Sequence, residues 1–217
     1  MAGATNNTDP ILIEIYSDYI WPWCYLSTVS IEKLKQEKNV VTRWIHFPLH
    51  PETPPEGIPM KDLYRNRNKE ESKAAGDHLR TLMAEAGLPY NKRTRLDNSR
   101  VSQELGAWAD TQDGGEAFHD AMFKAYFIED KTISDVDTLL DITGSVGLDV
   151  ELAREVIETR SFGPQVTADW DRAYEDGITG VPTFSSRDLF VFGCQPYEVL
   201  ERFYNHLVKL RNEAAAQ

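Results

Sequence analysis

The feature that most constrains the fold is a short apolar strand that leads directly into a proline-containing turn and a helix. Residues 11–16 read Ile-Leu-Ile-Glu-Ile-Tyr, which is typical of a largely buried strand. Trp-Pro-Trp-Cys follows at 21–24, and apolar side chains then recur at helical spacing over 25–38. A second strand is predicted at 40–47, before four prolines within 48–57 that exclude regular structure. The opening unit is therefore β-α-β.

The rest of the chain predicts a helical block, a hairpin and a last helix. Helical stretches interrupted by glycine and proline fill residues 60–177, where almost no strand pattern appears. Within this block, the basic run Lys92-Arg93-Thr94-Arg95 is interpreted as a solvated loop. Strands return at 183–185 and 189–192 around a short polar turn, and an amphipathic helix is predicted at 196–211.

Charge and cysteine content narrow the function classes. The formal net charge of −12 argues against a nucleic-acid partner or an anionic membrane surface, because both would repel the chain. No segment has the basic and apolar pattern of a secretory signal, or the roughly 20 apolar residues of a membrane span. We therefore expect a cytoplasmic protein. Its two cysteines, Cys24 and Cys194, form neither a disulfide framework nor a zinc cluster, and no metal is expected.

Several motifs resemble those of one family and occur in that family's order. They lie at residues 17–26, 50–57, 125–127, 133–135, 177–183 and 193–196. Over about residues 10–210 the chain resembles the DsbA family of thioredoxin-like disulfide oxidoreductases, in particular its FrnE-like branch. The resemblance implies a mixed α/β thioredoxin-like fold with a large helical insertion.

The resemblance also implies a domain plan. We expect a disordered tail at residues 1–9 and a single DsbA-like domain at 10–213. Its thioredoxin core would consist of residues 10–59 and 178–213, and its helical insertion of residues 60–177.

The active-site turn departs from the family pattern at its first position. The family usually has Cys-Pro-Trp-Cys, where the first cysteine attacks as a thiolate stabilised by the helix N-terminus and the second resolves the mixed disulfide. Trp21 stands at that first position, so a self-contained dithiol cycle is excluded unless a second thiol arrives from elsewhere. Cys24 remains the candidate catalytic residue, by monothiol exchange with glutathione or a substrate. The helix end would lower its pKa and burial would raise it, so a reactive and a vestigial Cys24 both stay open.

The substrate groove is expected between two short segments. Trp21, Pro22 and Trp23 form one wall, where Trp21 either fills the space of the missing thiol or contacts an aromatic ligand or peptide. Val181, Pro182 and Thr183 resemble the cis-proline loop of thioredoxins, which pairs with extended substrates; the alternative is a trans proline that opens an edge strand.

Four further side chains bear on the chemistry expected at this turn. Asp18, His46 and His50 are candidates to assist proton transfer, although the histidines also fit surface or hydrogen-bonded loop positions. Cys194 is interpreted as a small buried apolar residue, because strands are expected to separate it from Cys24 beyond the roughly 7 Å between Cα atoms that a disulfide allows.

The same scaffold admits other functions. Relatives include 2-hydroxychromene-2-carboxylate isomerases and kappa-class glutathione transferases, which use glutathione and usually have Asp-Arg where this chain has Gln195-Pro196. The first hypothesis is a thiol-disulfide oxidoreductase that needs no cofactor, with a thiol, a small molecule or an extended peptide as substrate. The alternatives are a glutathione-dependent isomerase or transferase, and a non-catalytic binding protein.

Overall fold

The computed structural model describes residues 9–66 and 68–216, so all but the last residue of the predicted tail at 1–9 lies outside the described residues. The strands and helices follow in this order: β1 (Ile11–Ser17), α1 (Pro22–Glu37), β2 (Val40–His46), β3 (Ile58–Pro59), α2 (Met60–Leu63), α3 (Lys69–Glu85), β4 (Arg95–Leu96), α4 (Arg100–Ala109), α5 (Glu116–Phe127), α6 (Val136–Ser145), α7 (Val150–Thr159), α8 (Gly163–Glu175), β5 (Thr183–Ser186), β6 (Leu189–Phe192) and α9 (Tyr197–Ala215).

The main sheet has the strand order β2-β1-β5-β6. β1 is parallel to β2 and antiparallel to β5, which forms an antiparallel hairpin with β6. The last residues of β1 and β6 and the first residues of β5 therefore lie at the same end of the sheet. This arrangement confirms the predicted mixed α/β thioredoxin-like fold, with β-α-β at the start and β-β-α at the end.

β1 is the central scaffold because both of its faces are covered. Ile13 and Ile15 pack with residues of α1 and α9 in one apolar cluster. On the opposite face, Tyr16 belongs to a larger cluster that includes the helices of the insertion. Burial on both sides explains why β1 reads as a nearly continuous apolar run.

The helical block contains a short ladder that the sequence did not predict. Ile58 pairs with Leu96 and Pro59 with Arg95 in an antiparallel two-stranded sheet. Two residues per strand are too few to produce a recognisable alternation of apolar and polar side chains.

The interpretation of the basic run as a solvated loop is wrong for Arg93. Its side chain is buried between Asp97 and Asp130, and its guanidinium lies 4.2 Å from the centre of the Tyr126 ring. Asp130 is distant in sequence, so the local pattern could not reveal this pairing. Among the described helices, none combines the length and apolar character needed to cross a bilayer.

Candidate functional site

The turn between β1 and α1 is tied down by its own backbone. The N–H of Trp21 donates to the carbonyl of Asp18 at 3.1 Å, and the N–H of Cys24 donates to the carbonyl of Trp21 at 3.0 Å. Trp21 is the N-cap and makes no side-chain capping bond, while Pro22 takes the first helical position, where its missing N–H costs nothing. Cys24 therefore lies in the first turn of α1, against the end of β1.

Cys24 is completely buried. Its side chain is 0% exposed, and burial raises the pKa of its thiol to about 12. The backbone of Asp18 opposes this rise, whereas the Asp18 carboxylate and Cys194 add to it. The helix N-terminus favours the thiolate, but burial has the larger effect on the pKa of Cys24 and favours the protonated thiol at neutral pH.

Asp18 is a buried carboxyl next to this thiol. Its oxygens accept backbone N–H bonds from Ile20 at 3.3 Å and from Leu49 at 3.2 Å. Burial raises the pKa of Asp18 to about 6, and its hydrogen bonds, which include those from Ser99 and Gln103, only partly oppose the rise. Asp18 therefore changes protonation close to neutral pH, as a proton acceptor beside a thiol must.

The predicted groove residues flank the same turn. Trp21, Pro22 and Trp23 are half-buried, whereas Val181, Pro182 and Thr183 are buried. The peptide bond between Val181 and Pro182 is cis. Trp21, Trp23 and Val181 all belong to, or pack against, the cluster that contains Cys24. The two predicted walls thus meet at one packed cluster, and the tryptophans are its partly exposed members.

Cys194 follows the hairpin at the end of the sheet near the cis-proline loop. Gly193 has a φ of +80°, which a glycine adopts readily, and its N–H donates to the carbonyl of Pro182 at 2.8 Å. The next residue, Cys194, is half-buried rather than buried as predicted, and it contributes to the raised pKa of Cys24. Partial burial raises the pKa of Cys194 to about 11.

The two candidate histidines do not share one environment. His50 lies in the exposed loop after β2, with its ring Nδ1 3.3 Å from the carboxylate of Glu52. His46 is buried at the end of β2, and the interpretation of it as a surface or loop residue is wrong. Burial lowers the pKa of His46 to about 3, and its Nε2 has no hydrogen-bond partner. A neutral imidazole whose Nε2 has no hydrogen-bond partner is poorly suited to proton exchange at neutral pH.

A buried chain of hydrogen bonds beside the turn was not predicted from the sequence. The hydroxyl of Tyr19 lies 2.6 Å from Nδ1 of His119, whose Nε2 lies 2.7 Å from Oδ1 of Asp110. Tyr19 and His119 are buried, and their rings lie beside His46, with 6.1 Å between the ring centres of Tyr19 and His46. Position next to the Trp-Pro-Trp-Cys turn was the only available signal for Tyr19. His119 and Asp110 lie in the helical block without any motif.

Within the part of the chain that the structure describes, no group of three or more His, Cys, Asp or Glu side chains is arranged to hold a metal ion. The side chains gathered at the turn are instead two thiols, one carboxyl and two tryptophans. Their chemistry is that of proton transfer and sulfur exchange.

Comparisons with known proteins agree with this geometry. A model of the DSBA-like thioredoxin domain family matches residues 12–205. A probable DsbA oxidoreductase from Streptomyces coelicolor is 27% identical, with a TM-score of 0.83 over 90% of this chain and 89% of that one. The uncharacterized protein YwbO of Bacillus subtilis strain 168 is 27% identical over 193 residues, or 88% of this chain and 94% of YwbO.

A more distant structure shares the fold alone. A 2-hydroxychromene-2-carboxylate isomerase is 19% identical, with a TM-score of 0.72 over 95% of this chain and 100% of that one. The scaffold therefore occurs with both oxidoreductase and isomerase chemistry, and the side chains of the site must decide between them.

Proposed function

Because the chain belongs to the DSBA-like thioredoxin domain family, we propose that it is a thiol oxidoreductase acting through Cys24, with Asp18 as the proton acceptor. The observation that carries this proposal is the buried Asp18 carboxyl beside the buried thiol, with a pKa of about 6. An ionised carboxyl without a cationic partner is costly to bury. Its place beside the one cysteine of the active-site turn supports a role in moving the proton of that cysteine.

The reaction begins with the Cys24 thiol protonated and Asp18 largely ionised at neutral pH. As the sulfur of Cys24 attacks a disulfide, its proton passes to the Asp18 carboxylate, and the departing sulfur leaves as a thiolate. Proton transfer removes the negative charge that Asp18 places beside the thiol, so it also removes one cause of the raised pKa of Cys24. The product is a mixed disulfide on Cys24.

Access to Cys24 requires the half-buried Trp21 and Trp23 to move, because the thiol itself is not exposed. We therefore propose slow exchange with a small disulfide such as oxidised glutathione, or with an extended peptide placed along Val181, Pro182 and Thr183. No further cofactor is required. The negative net charge of the chain supports a substrate other than a nucleic acid, and we propose that the protein works in the cytoplasm, where thiols stay reduced.

The test uses the Cys194→Ser variant, so that Cys24 is the only thiol. Alkylation of Cys24 by iodoacetamide is followed from pH 6 to 10, and exchange with oxidised glutathione at pH 7, with Asp18 intact and with Asp18→Asn added. We expect Asp18→Asn to raise the alkylation rate at pH 10, because removal of a like charge lowers the pKa of Cys24, and to slow exchange at pH 7 about tenfold, because the acceptor is lost.

Asp169→Asn is the matched control. Burial also raises the pKa of Asp169 to about 6, but its oxygen accepts the backbone N–H of His46 at 3.2 Å, away from the turn. This substitution should leave both rates unchanged. Equal exchange rates with and without the Asp18 carboxyl would contradict the proposal.

The complete burial of Cys24 favours one second candidate, a binding protein that keeps the groove without the redox chemistry. In that case native Cys24 forms no mixed disulfide with oxidised glutathione even at pH 10, while a Trp21→Cys variant gains activity in an insulin-reduction assay. A glutathione-dependent isomerase or transferase receives less support, because Gln195-Pro196 replaces the Asp-Arg pair expected of that branch.

A further inference from the structure

The two cysteines of the chain lie at the same end of the main sheet. Tyr16, near the end of β1, pairs with Thr183, and Thr183 pairs with Phe192 at the end of β6. Cys24 lies beyond the end of β1, and Cys194 follows β6 by two residues. The hydrogen bond from Gly193 to the Pro182 carbonyl draws the chain before Cys194 toward the cis-proline loop.

The effect of Cys194 on Cys24 agrees with this placement. Cys194 contributes to the raised pKa of Cys24, as does the Asp18 carboxylate. The two cysteines therefore lie at the same end of the sheet, although the sequence predicted that intervening strands would prevent a direct disulfide between them. Only three residues, Cys194, Gln195 and Pro196, lie between Gly193 and the start of α9.

The two thiols differ in what can reach them. Cys24 is 0% exposed, whereas Cys194 is half-buried and has solvent access. A disulfide that arrives from solvent therefore meets Cys194 before Cys24. Trp21 occupies the position at which the family usually presents its attacking cysteine, so the turn offers no competing thiol at its first position.

We propose that Cys194 is the attacking thiol and Cys24 the resolving thiol of a two-cysteine site that reduces small disulfides of the glutathione type. The proposal rests on the function proposed above and assigns it a second sulfur, drawn from the hairpin rather than from the active-site turn.

The reaction balances with the small disulfide as the only co-reactant. The Cys194 thiolate, whose proton has gone to solvent, attacks one sulfur of the disulfide; the disulfide bond breaks, and one small thiolate leaves and takes up a proton. Cys24 then gives its proton to Asp18 and attacks the sulfur of Cys194. The second small thiolate leaves, and a bond between Cys24 and Cys194 remains. Two electrons have passed from the protein thiols to the substrate disulfide.

The geometry sets one requirement for the second step. Formation of the bond between Cys24 and Cys194 needs their Cα atoms within about 7 Å. Because the segment from Cys194 to Pro196 is short and lies outside any helix or strand, it is the part of the site that would adjust. The raised pKa values of both thiols also predict a slow reaction at pH 7 that accelerates about tenfold for each pH unit up to about pH 10.

The experiment exposes the full chain to oxidised glutathione at pH 8.5, quenches it with acid and maps the cysteines by mass spectrometry. The unsubstituted protein should accumulate the Cys24–Cys194 disulfide without retained glutathione. Cys24→Ala should trap glutathione on Cys194, at least ten times faster than Cys194→Ala traps it on Cys24. Circular dichroism establishes that each variant is folded, and Cys194→Ser is tested in parallel in case the alanine variant is unstable.

Each other outcome overturns a defined part of the proposal. If Cys194→Ala reacts as fast as the unsubstituted protein, Cys194 is not the attacking thiol. If glutathione stays on Cys194 while Cys24 is intact, the two thiols do not form a pair. In both cases an Asp18-dependent reaction at Cys24 would leave the function proposed above standing. If neither thiol reacts in the native protein but both react after unfolding in guanidinium, both proposals fail.

Discussion

Glu14 lies within β1 and Asp18 lies just after it. Both acids are buried, but their pKa values shift in opposite directions. Burial by itself would raise the pKa of Glu14, but Arg172 and Arg43 hold this carboxylate by hydrogen bonds and charge and lower the pKa to about 2. Asp18 is buried more deeply and has only neutral hydrogen-bond donors, so burial prevails and raises its pKa to about 6. Two arginines keep the Glu14 carboxylate ionised, whereas the neutral donors around Asp18 allow its carboxyl to gain or lose a proton near neutral pH.

This difference separates structural from functional acids in the molecule. Glu104 belongs with Glu14: burial would raise its pKa, but Arg160 and Arg100 lower it. Glu104 joins α4 to the end of α7 through Arg160, and Glu14 joins β1 to α8 through Arg172. Asp18, in contrast, lies beside a thiol. Asp169 likewise accepts no hydrogen bond from an arginine within the described residues and has a pKa raised to about 6, so it is the position beside the thiol that distinguishes Asp18.

The largest effect on the free energy of unfolding is expected from replacing Glu14, the carboxylate that two arginines hold. Glu14→Gln leaves the guanidinium groups of Arg172 and Arg43 without their shared carboxylate. Because both arginines are partly exposed and can turn to solvent, we expect a loss of about 2 to 3 kcal/mol in the free energy of unfolding at pH 7. Urea denaturation measures this loss.

The pH dependence of that loss follows from the pKa of Glu14. The folded-state pKa of about 2 lies below the ordinary glutamate pKa of 4.5, so the stabilisation is present above pH 4.5 and disappears as the pH falls through about 2. The Glu14→Gln variant should therefore approach the unsubstituted protein in stability toward pH 2. A pH-independent difference would mean that packing, not charge, is lost.

A smaller effect of opposite sign is expected at Asp18. Its folded-state pKa of about 6 exceeds the ordinary aspartate pKa of 3.8, so the carboxyl stabilises the fold below pH 3.8 and this contribution is lost as the pH rises through about 6. Asp18→Asn removes the burial of a charge but also one acceptor for the N–H groups of Ile20 and Leu49. We expect a net gain of about 1 to 2 kcal/mol at pH 7 and none at pH 4, by urea denaturation at both values. Destabilisation at pH 7 would show that the ionised carboxylate is needed for the fold.

The sequence predicted most of the scaffold because the relevant signals are local. β1 is an apolar run, Pro22 begins α1, and the polar turn at residues 187–188 separates β5 from β6. Asp18 lies next to the turn because it directly follows the strand from which the turn departs.

The remaining features depend on contacts between distant segments. Arg93 is buried because Asp130 lies beside it, although 37 positions separate the two in the chain. Cys194 approaches Cys24 because the hairpin register and the turn at Gly193 bring it there, and neither can be read from residue types. The burial of Cys24, which sets its pKa, depends on helices packed from the insertion. These are the properties that decide the chemistry of the site.

The smallest expected effect concerns the residue next to Asp18 and tests whether neutral hydrogen bonds also hold this turn in place. Tyr19→Phe removes the hydroxyl that lies 2.6 Å from Nδ1 of His119 and leaves that buried nitrogen without its partner. We expect a loss of about 1 kcal/mol in the free energy of unfolding, less than at Glu14 because no charge pair is broken. Tyr174→Phe is the control, because that ring is 87% exposed and should show no change. If Tyr19→Phe lowered the free energy of unfolding as much as Glu14→Gln, the hydrogen bonds from Tyr19 through His119 to Asp110 would stabilise the turn as strongly as the arginine pairs of Glu14 stabilise β1.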